Sequence, residues 1–284
     1  MRIASLQPSI TITLAALGRL DAVCAHTKYC LELLPELAAR GLPILHDSWS
    51  FDKPGNLETL LAARPDAVIA SVPYRMESLA AILKAGVPVL ALAPHSLADV
   101  YSDIRLVAAV ASTGGAHGDP EPLVAHMQSA IAQTRERTHR LTPAQRPLVY
   151  CEEWGKPIIH SQAWVAELVD AAGGRFFGTP GAHVAADTIA ALPESAQPGV
   201  LLFAWCGAGD RVPLARVIAQ RNWHALRAVR AGRVHCIPDE YLNTPAPTLL
   251  EGLRCIAAAT HPRLFAPHPR LITLPAVDPA HCAR

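Results

Sequence analysis

The chain has 284 residues, enough for one large hydrophobic core or two moderate ones, since domains commonly run to about 100–200 residues. Its 25 Lys and Arg nearly balance its 24 Asp and Glu, for a formal charge of +1, so it lacks the basic footprint of a nucleic-acid binder and that class is excluded. Apolar residues make up 51% of the chain, yet they fall in short runs broken by 25 prolines. None of those runs approaches the roughly 20 residues of a membrane helix.

In chain order, RIASLQPSITITLAALG predicts a strand over Ile3 to Leu6 and a helix over Ser9 to Leu17. Gln7, Pro8, Ser9, Thr11 and Thr13 interrupt the apolar stretch that a signal peptide would need, so the chain as given is expected to be cytoplasmic, and periplasmic if its start is misplaced. The apolar runs DAVCA, DAVIAS and VPVLALAP then alternate with the amphipathic segments LETLLAAR, MESLAAILKAG and LADVYSDIRLVAAVAS, which is the rhythm of parallel β/α units. Within this region HDSWSFDKPGN holds Trp49 in a polar turn without apolar periodicity. The rhythm stops at TGGAHGDPEP. From Pro120 to about Leu141 the spacing predicts one long helix with Leu123, Met127, Ile131 and Thr134 on its apolar face. Asp119 is placed to cap it, with Pro120 at the first position and Glu121 near the positive end of the dipole.

After Pro147 the rhythm resumes through LVYCEEW, AWVAELVDAAGG, VLLFAWCG, PLARVIAQR, RVHCIP and TLLEGLRCIAAAT. The prediction is an α/β fold of two β/α lobes, with mainly parallel sheets, bridged by a single long helix. The N-terminal lobe is assigned to residues 1–118, the linking helix to 119–142, the C-terminal lobe to 143–265 and a loosely packed, proline-rich tail to 266–284.

Seven cysteines, at 24, 30, 151, 206, 236, 255 and 282, form no CxxC pair. An odd number without an export signal fits reduced thiols, most of them small buried hydrophobes. Ligands of β/α proteins gather at the carboxyl ends of strands. Those ends carry Glu152, Glu153, Trp154 and His160 after the first strand of the second lobe, Trp205, Cys206 and Gly207 after VLLF, and Asp239, Glu240, Tyr241 and Asn243 after RVHCIP. Trp164 reads as core, one turn from Leu168. Among thirteen histidines, His46, His160 and His235 lie near strand ends, close in sequence to Cys151, Cys206 and carboxylates. No paired His or Cys spacing fixes two ligands on one element, so a metal set stays unassigned. Nucleophile-elbow, phosphate-loop and dinucleotide motifs are absent, and adjacent Glu152 and Glu153 point to opposite faces of a strand, which favours binding over catalysis.

The opening block, LPILHDSWSFDKPGNLETLLAARPDAVIAS and WHALRAVRAGRVHCIPDEYLNTPAPTLLEGL resemble, in the same order, the helical-backbone substrate-binding proteins of iron-siderophore and cobalamin ABC importers, the cobalamin branch above all. The resemblance implies a ligand cleft between the lobes; the single long helix predicted to bridge them is a stiff link, so little closure is expected. It implies cobalamin or a related corrinoid as ligand, no required cofactor, a monomer that does not span the membrane, and an ABC permease as partner. By position it assigns Trp49, Tyr29, Glu153, Trp154, His160, Trp205, Asp239 and Tyr241 to the ligand, Trp49 packing on the corrin face, and Glu58 and Asp187 to permease docking. Structural alternatives exist: Trp49 as a lid on its own lobe, Tyr29 as a rim residue, Glu58 as a first-turn acid complementing a helix dipole. Thr244 stands where the branch carries an arginine, a departure from its pattern. The other readings are a metal-ion, iron-siderophore or haem receptor on the same scaffold, with His160 as an axial ligand, or a cytoplasmic enzyme derived from it.

Overall fold

The computed structural model describes residues 1–53, 55–112 and 118–276, so Cys282 and the last residues of the predicted tail lie outside it. Two compact units are formed, one by Met1–Met127 with Pro245–Pro247, the other by Gln128–Thr244 with Thr248–Arg284.

The first unit runs β1 (Ile3–Ser5), α1 (Pro8–Ala16), β2 (Val23–Thr27), α2 (Lys28–Leu33), β3 (Ile44–Leu45), α3 (Asn56–Ala62), β4 (Ala67–Ser71), α4 (Met76–Lys84), β5 (Val89–Leu92) and α5 (Leu97–Ala111). Its five strands are parallel, in the order β3-β2-β1-β4-β5. Helices cover both faces of such a sheet, which is why β1, β2 and β4 read as continuous rather than alternating apolar runs, with every residue buried. Strand order reverses between β1 and β4. There the Gln7 side chain bridges the two strand ends: its Oε1 accepts from Ser71 N at 2.8 Å and its Nε2 donates to Pro73 O at 3.2 Å. Local rules fix the helices. In α5, the Ser96 hydroxyl accepts from Asp99 N at 3.1 Å while the Asp99 carboxylate accepts from Ser96 N at 3.0 Å, a capping box.

Helix α6 (Glu121–Thr138) starts with the expected Asp119 cap, whose carboxylate accepts from Glu121 N at 3.0 Å. It is shorter than the predicted span. Its buried stripe is Val124, Met127, Ile131 and Thr138, and Leu123 is only half-buried. The stripe therefore begins one position later than the sequence spacing suggests.

The second unit comprises β6 (Leu148–Gly155), β7 (Ile158–His160), α7 (Ala163–Ala171), β8 (Arg175–Phe176), α8 (Ala186–Ala190), β9 (Val200–Phe203), α9 (Leu214–Gln220), α10 (Arg227–Arg230), β10 (Val234–Cys236), α11 (Leu249–Thr260) and β11 (Ile272–Leu274). The sheet order is β11-β10-β9-β6-β7, with β8 also on β6. The β10–β9–β6 centre is parallel and the β7 and β11 edges are antiparallel. Its core joins Tyr150, Leu201, Phe203 and Trp223, all fully buried.

The described part of the proline-rich tail, residues 266–276, is not the loose extension expected from composition. Residues 272–274 form β11 and complete the edge of the sheet, Arg270 pairs with Asp210 at 3.1 Å, and the His268 ring packs edge-on to Tyr241. Prolines there punctuate an ordered return strand.

That edge makes a pH-sensitive contact. His235 on β10 is 7% exposed; its Nδ1 meets the Thr273 hydroxyl of β11 at 2.8 Å and its Nε2 is buried without a partner among the described residues. Burial, then the charge of Arg233, pushes its pKa down to about 4. The folded state therefore holds His235 neutral where the unfolded chain takes up a proton. Stability is complete above the ordinary histidine pKa and falls as pH drops from about 6.5 toward 4, by up to roughly 3 kcal/mol. Urea unfolding at pH 7 and at pH 4.5 is expected to show this loss in the wild type, and a smaller one in His235→Gln.

Candidate functional site

In the first unit the carboxyl ends of β2 and β3 present two rings. Tyr29 opens α2 just past β2, and Trp49 lies in the turn after β3, 38% exposed. Their centroids are 5.9 Å apart at an interplanar angle of 33°, and the Lys28 ammonium stands 5.1 Å from the Tyr29 ring. Asp47 holds this turn. Its Oδ1 accepts from Trp49 N at 2.9 Å and Ser50 N at 2.8 Å, and the Ser50 hydroxyl and the His46 ring reach its Oδ2 at 2.8 Å and 3.0 Å. Burial works against the carboxylate, but these hydrogen bonds outweigh it and hold Asp47 below its ordinary pKa. The Trp49 backbone is thus fixed from the polar side while the indole stays open to solvent. Asn56 locks the other flank, accepting from His46 N at 3.0 Å and donating to Asp47 O at 3.2 Å.

In the second unit Trp154 and Trp205 line a hollow of about 420 Å³, together with Lys156, Cys206, Pro213 and Arg216. Trp154 sits on the β6–β7 hairpin, 42% exposed, its Nε1 donating to Lys156 O at 2.7 Å. Trp205 crosses the hairpin so closely that a Cβ at Gly155 would lie 2.5 Å from its ring, so only glycine fits there. Beneath it is a buried polar network. Glu152, with a fully buried side chain, accepts from Arg221 through both oxygens at 2.6 and 2.8 Å, from Trp205 Nε1 at 2.7 Å, and from the Tyr150 hydroxyl. Arg221 also lies over the Trp223 ring, 4.8 Å from its centroid. Burial opposes the Arg221 charge, yet Glu152 raises its pKa above the ordinary value. Burial, then the Glu152 charge, raises the Tyr150 phenol, so it remains a donor.

Against this geometry the chain can be compared with known proteins. Residues 3–241 match the periplasmic binding protein family. The chain belongs to that family. A relative from Bacillus subtilis (strain 168), the uncharacterized ABC transporter substrate-binding lipoprotein YvrC, is 22% identical over 218 residues, which are 74% of this chain and 66% of the relative. The fold is shared with the periplasmic heme-binding protein RhuT of Roseiflexus sp. RS-1 (24% identity, TM-score 0.73, 93% of this chain and 98% of that one). It is shared too with a periplasmic heme-binding protein of Pseudomonas aeruginosa (19%, 0.76, 96% and 97%) and with the vitamin B12 binding protein BtuF of Vibrio cholerae (22%, 0.67, 91% and 96%).

Within this periplasmic binding protein scaffold the other predicted residues fall in different settings. Glu153 is half-buried and accepts from Gln162 at 2.9 Å, with burial raising its pKa. The Asp239 carboxylate is occupied by the backbone of the Gly207–Gly209 loop, accepting at 2.8 and 2.7 Å. Tyr241 leans on His268 and Arg270. His160 differs from expectation. The chain turns back after Gly155, so His160 lies on β7, 3% exposed among Tyr150, Phe176 and Phe177, where burial lowers its pKa. A Cβ at Gly178 would lie 2.5 Å from its Nε2, so the backbone there packs closely on the ring. Of the other histidines weighed for a metal, His46 is tied to Asp47 and His235 to Thr273. Among the described residues no three His, Cys, Asp or Glu side chains converge on one point. No helix among them is long and apolar enough to cross a membrane. Glu58 and Asp187 are exposed in the first turns of α3 and α8, and the Glu58 carboxylate accepts from Gly55 N.

Arg221 escaped the sequence reading, since 69 residues separate it from Glu152 and no spacing links them. Its removal tests the network. Arg221→Met leaves the Glu152 charge buried and unpaired, a loss of about 3–5 kcal/mol in denaturant unfolding, whereas adding Glu152→Gln should restore part of it.

Proposed function

We propose that this chain is the solute-binding protein of an ABC importer, or a carrier built on the same scaffold, and that its solute is a planar metal-chelate macrocycle, cobalamin or a related corrinoid. The supporting observation is Trp49: a large ring left 38% exposed, beside Tyr29, on a turn whose backbone Asp47 holds rigidly. A flat, low-entropy ring suits an apolar macrocycle face, and holding it in place beforehand lowers the ordering cost of capture. The second unit has rings of its own lining a hollow, Trp154 and Trp205. Lys156 and Arg216 at the same hollow supply charge for acidic or amide substituents of a macrocycle. Glu153, Asp239 and Tyr241 are assigned to the rim, where Asp239 acts by shaping the Gly207–Gly209 loop. His160 is assigned to packing.

Haem is the second reading. Two proteins that share the fold are described as heme-binding, and Tyr29 brings a phenol to the same exposed surface. The role in either case is capture and delivery, not turnover.

Trp49→Ala is expected to weaken calorimetric binding of cyanocobalamin or cobinamide by roughly 1–3 kcal/mol while the empty protein melts within a degree or two of wild type. Lost stability with unchanged affinity would make Trp49 a packing residue, and saturable binding of haemin but not of corrinoids would select the second reading. Glu58 and Asp187 are assigned to permease docking. Reversing both charges is expected to abolish permease pull-down and leave solute affinity intact; undiminished pull-down would remove that role.

A further inference from the structure

The second unit has another hollow, at the opposite end of its parallel strands. Pro147, Gly199 and Arg233 immediately precede β6, β9 and β10, and with Arg227, Thr260 and His261 they line an open basin of about 400 Å³. Among the described residues its lining includes two arginines and a histidine but no carboxylate. Neighbouring acids are engaged elsewhere: Asp170 with Arg146 at 2.6 Å, and Glu194 with Arg230.

Polar groups at the basin lack partners. Thr260 is 2% exposed, and its hydroxyl and the Nε of Arg227 are enclosed without a hydrogen-bond partner among the described residues. Desolvated donors of this kind cost roughly 1–3 kcal/mol each when left unpaired, and more when charged. The Arg227 guanidinium lies over the backbone of Gly199, its Nη2 3.1 Å from where a Cβ would stand. Arg233 is held in place, its Nη2 donating to the carbonyls of Ala259 at 3.0 Å and Thr260 at 2.7 Å. The His261 ring is anchored through Nε2 to Gly173 O at 3.0 Å. Burial first, then the charge of Arg227, lowers the Arg233 pKa; burial, then Arg233 and Arg146, lowers that of His261, with the Gly173 carbonyl acting the other way. The cations thus crowd one another, with no counter-charge lining the basin among the described residues.

We propose that this basin is a binding site for a tetrahedral oxyanion of the phosphate class, held by the Arg227 and Arg233 guanidiniums. A guanidinium offers a planar fork of donors matched to such oxygens. The volume exceeds that of one phosphate group, so both the free ion and a small phosphomonoester fit. The site lies at the strand ends opposite Trp205 and Asp239, so its occupancy is separate from solute capture.

The full chain is titrated with inorganic phosphate, glycerol 3-phosphate and acetate at constant ionic strength, reading affinity by calorimetry and melting temperature by thermal shift. Wild type is expected to bind one phosphate or phosphomonoester saturably, to gain melting temperature with it, and to respond at least tenfold more weakly to acetate. The phosphate arm against the glycerol 3-phosphate arm tells the free ion from an esterified group. Arg227→Gln is expected to weaken phosphate at least tenfold without altering corrinoid or haemin affinity. Arg227 is only half-buried, and the melting temperature of the empty variant checks that it folds. The proposal is overturned if wild type shows no saturable binding at millimolar phosphate, or if Arg227→Gln binds as wild type does.

Discussion

The second unit depends on one buried carboxylate. Glu152 is fully enclosed, and an isolated charge there would be prohibitive; two donors from Arg221, one from Trp205 and one from Tyr150 make it tolerable. Because the Trp205 indole is one of those donors, the ring is tied to the core from below while part of its surface stays open. The same device recurs in the first unit, where Asp47 collects backbone and hydroxyl donors and fixes the turn that carries Trp49. In both units an acid in the scaffold positions an aromatic surface, and neither acid is free to meet a solute itself.

The same division of labour holds for other acids near strand ends. Asp239 has both oxygens engaged by a glycine loop, and Glu153 is held by Gln162. Their burial and bonding shape loops. The rings left exposed are Trp49 in the first unit and Trp154 in the second, and their two rotatable bonds cost little to order.

Much of the fold was legible in the sequence because it is written in local periodicity. The parallel strands of both units appear as short apolar runs, and Asp119 capped its helix as expected. Trp49 stood out because a large ring in a run of Asp, Ser and Gly has no local packing partner, and Trp164 fell in the core as its helical spacing implied, 4% exposed. Features set by distant contacts were not legible. The return of the chain after Gly155 placed His160 on a buried edge strand, and the pairing of residues 272–274 with β10 ordered a tail whose prolines suggested slack. Arg221 is an ordinary surface-like residue at the end of an amphipathic helix until the fold brings Glu152 beneath it. Ligand identity sits at the far end of this scale, since proteins that share this fold are described as binding either haem or vitamin B12.

The central claim is that Trp49 is a solute-contacting ring already in its binding position before the solute arrives. A pair of crystal structures, empty and soaked with cobinamide or haemin, tests it most directly. The account predicts a macrocycle in van der Waals contact with the Trp49 indole, with the Asp47 hydrogen bonds and the Trp49 rotamer unchanged between the two. A macrocycle bound without touching Trp49, or an indole that has to swing out of a different empty-state rotamer to reach it, would contradict the account.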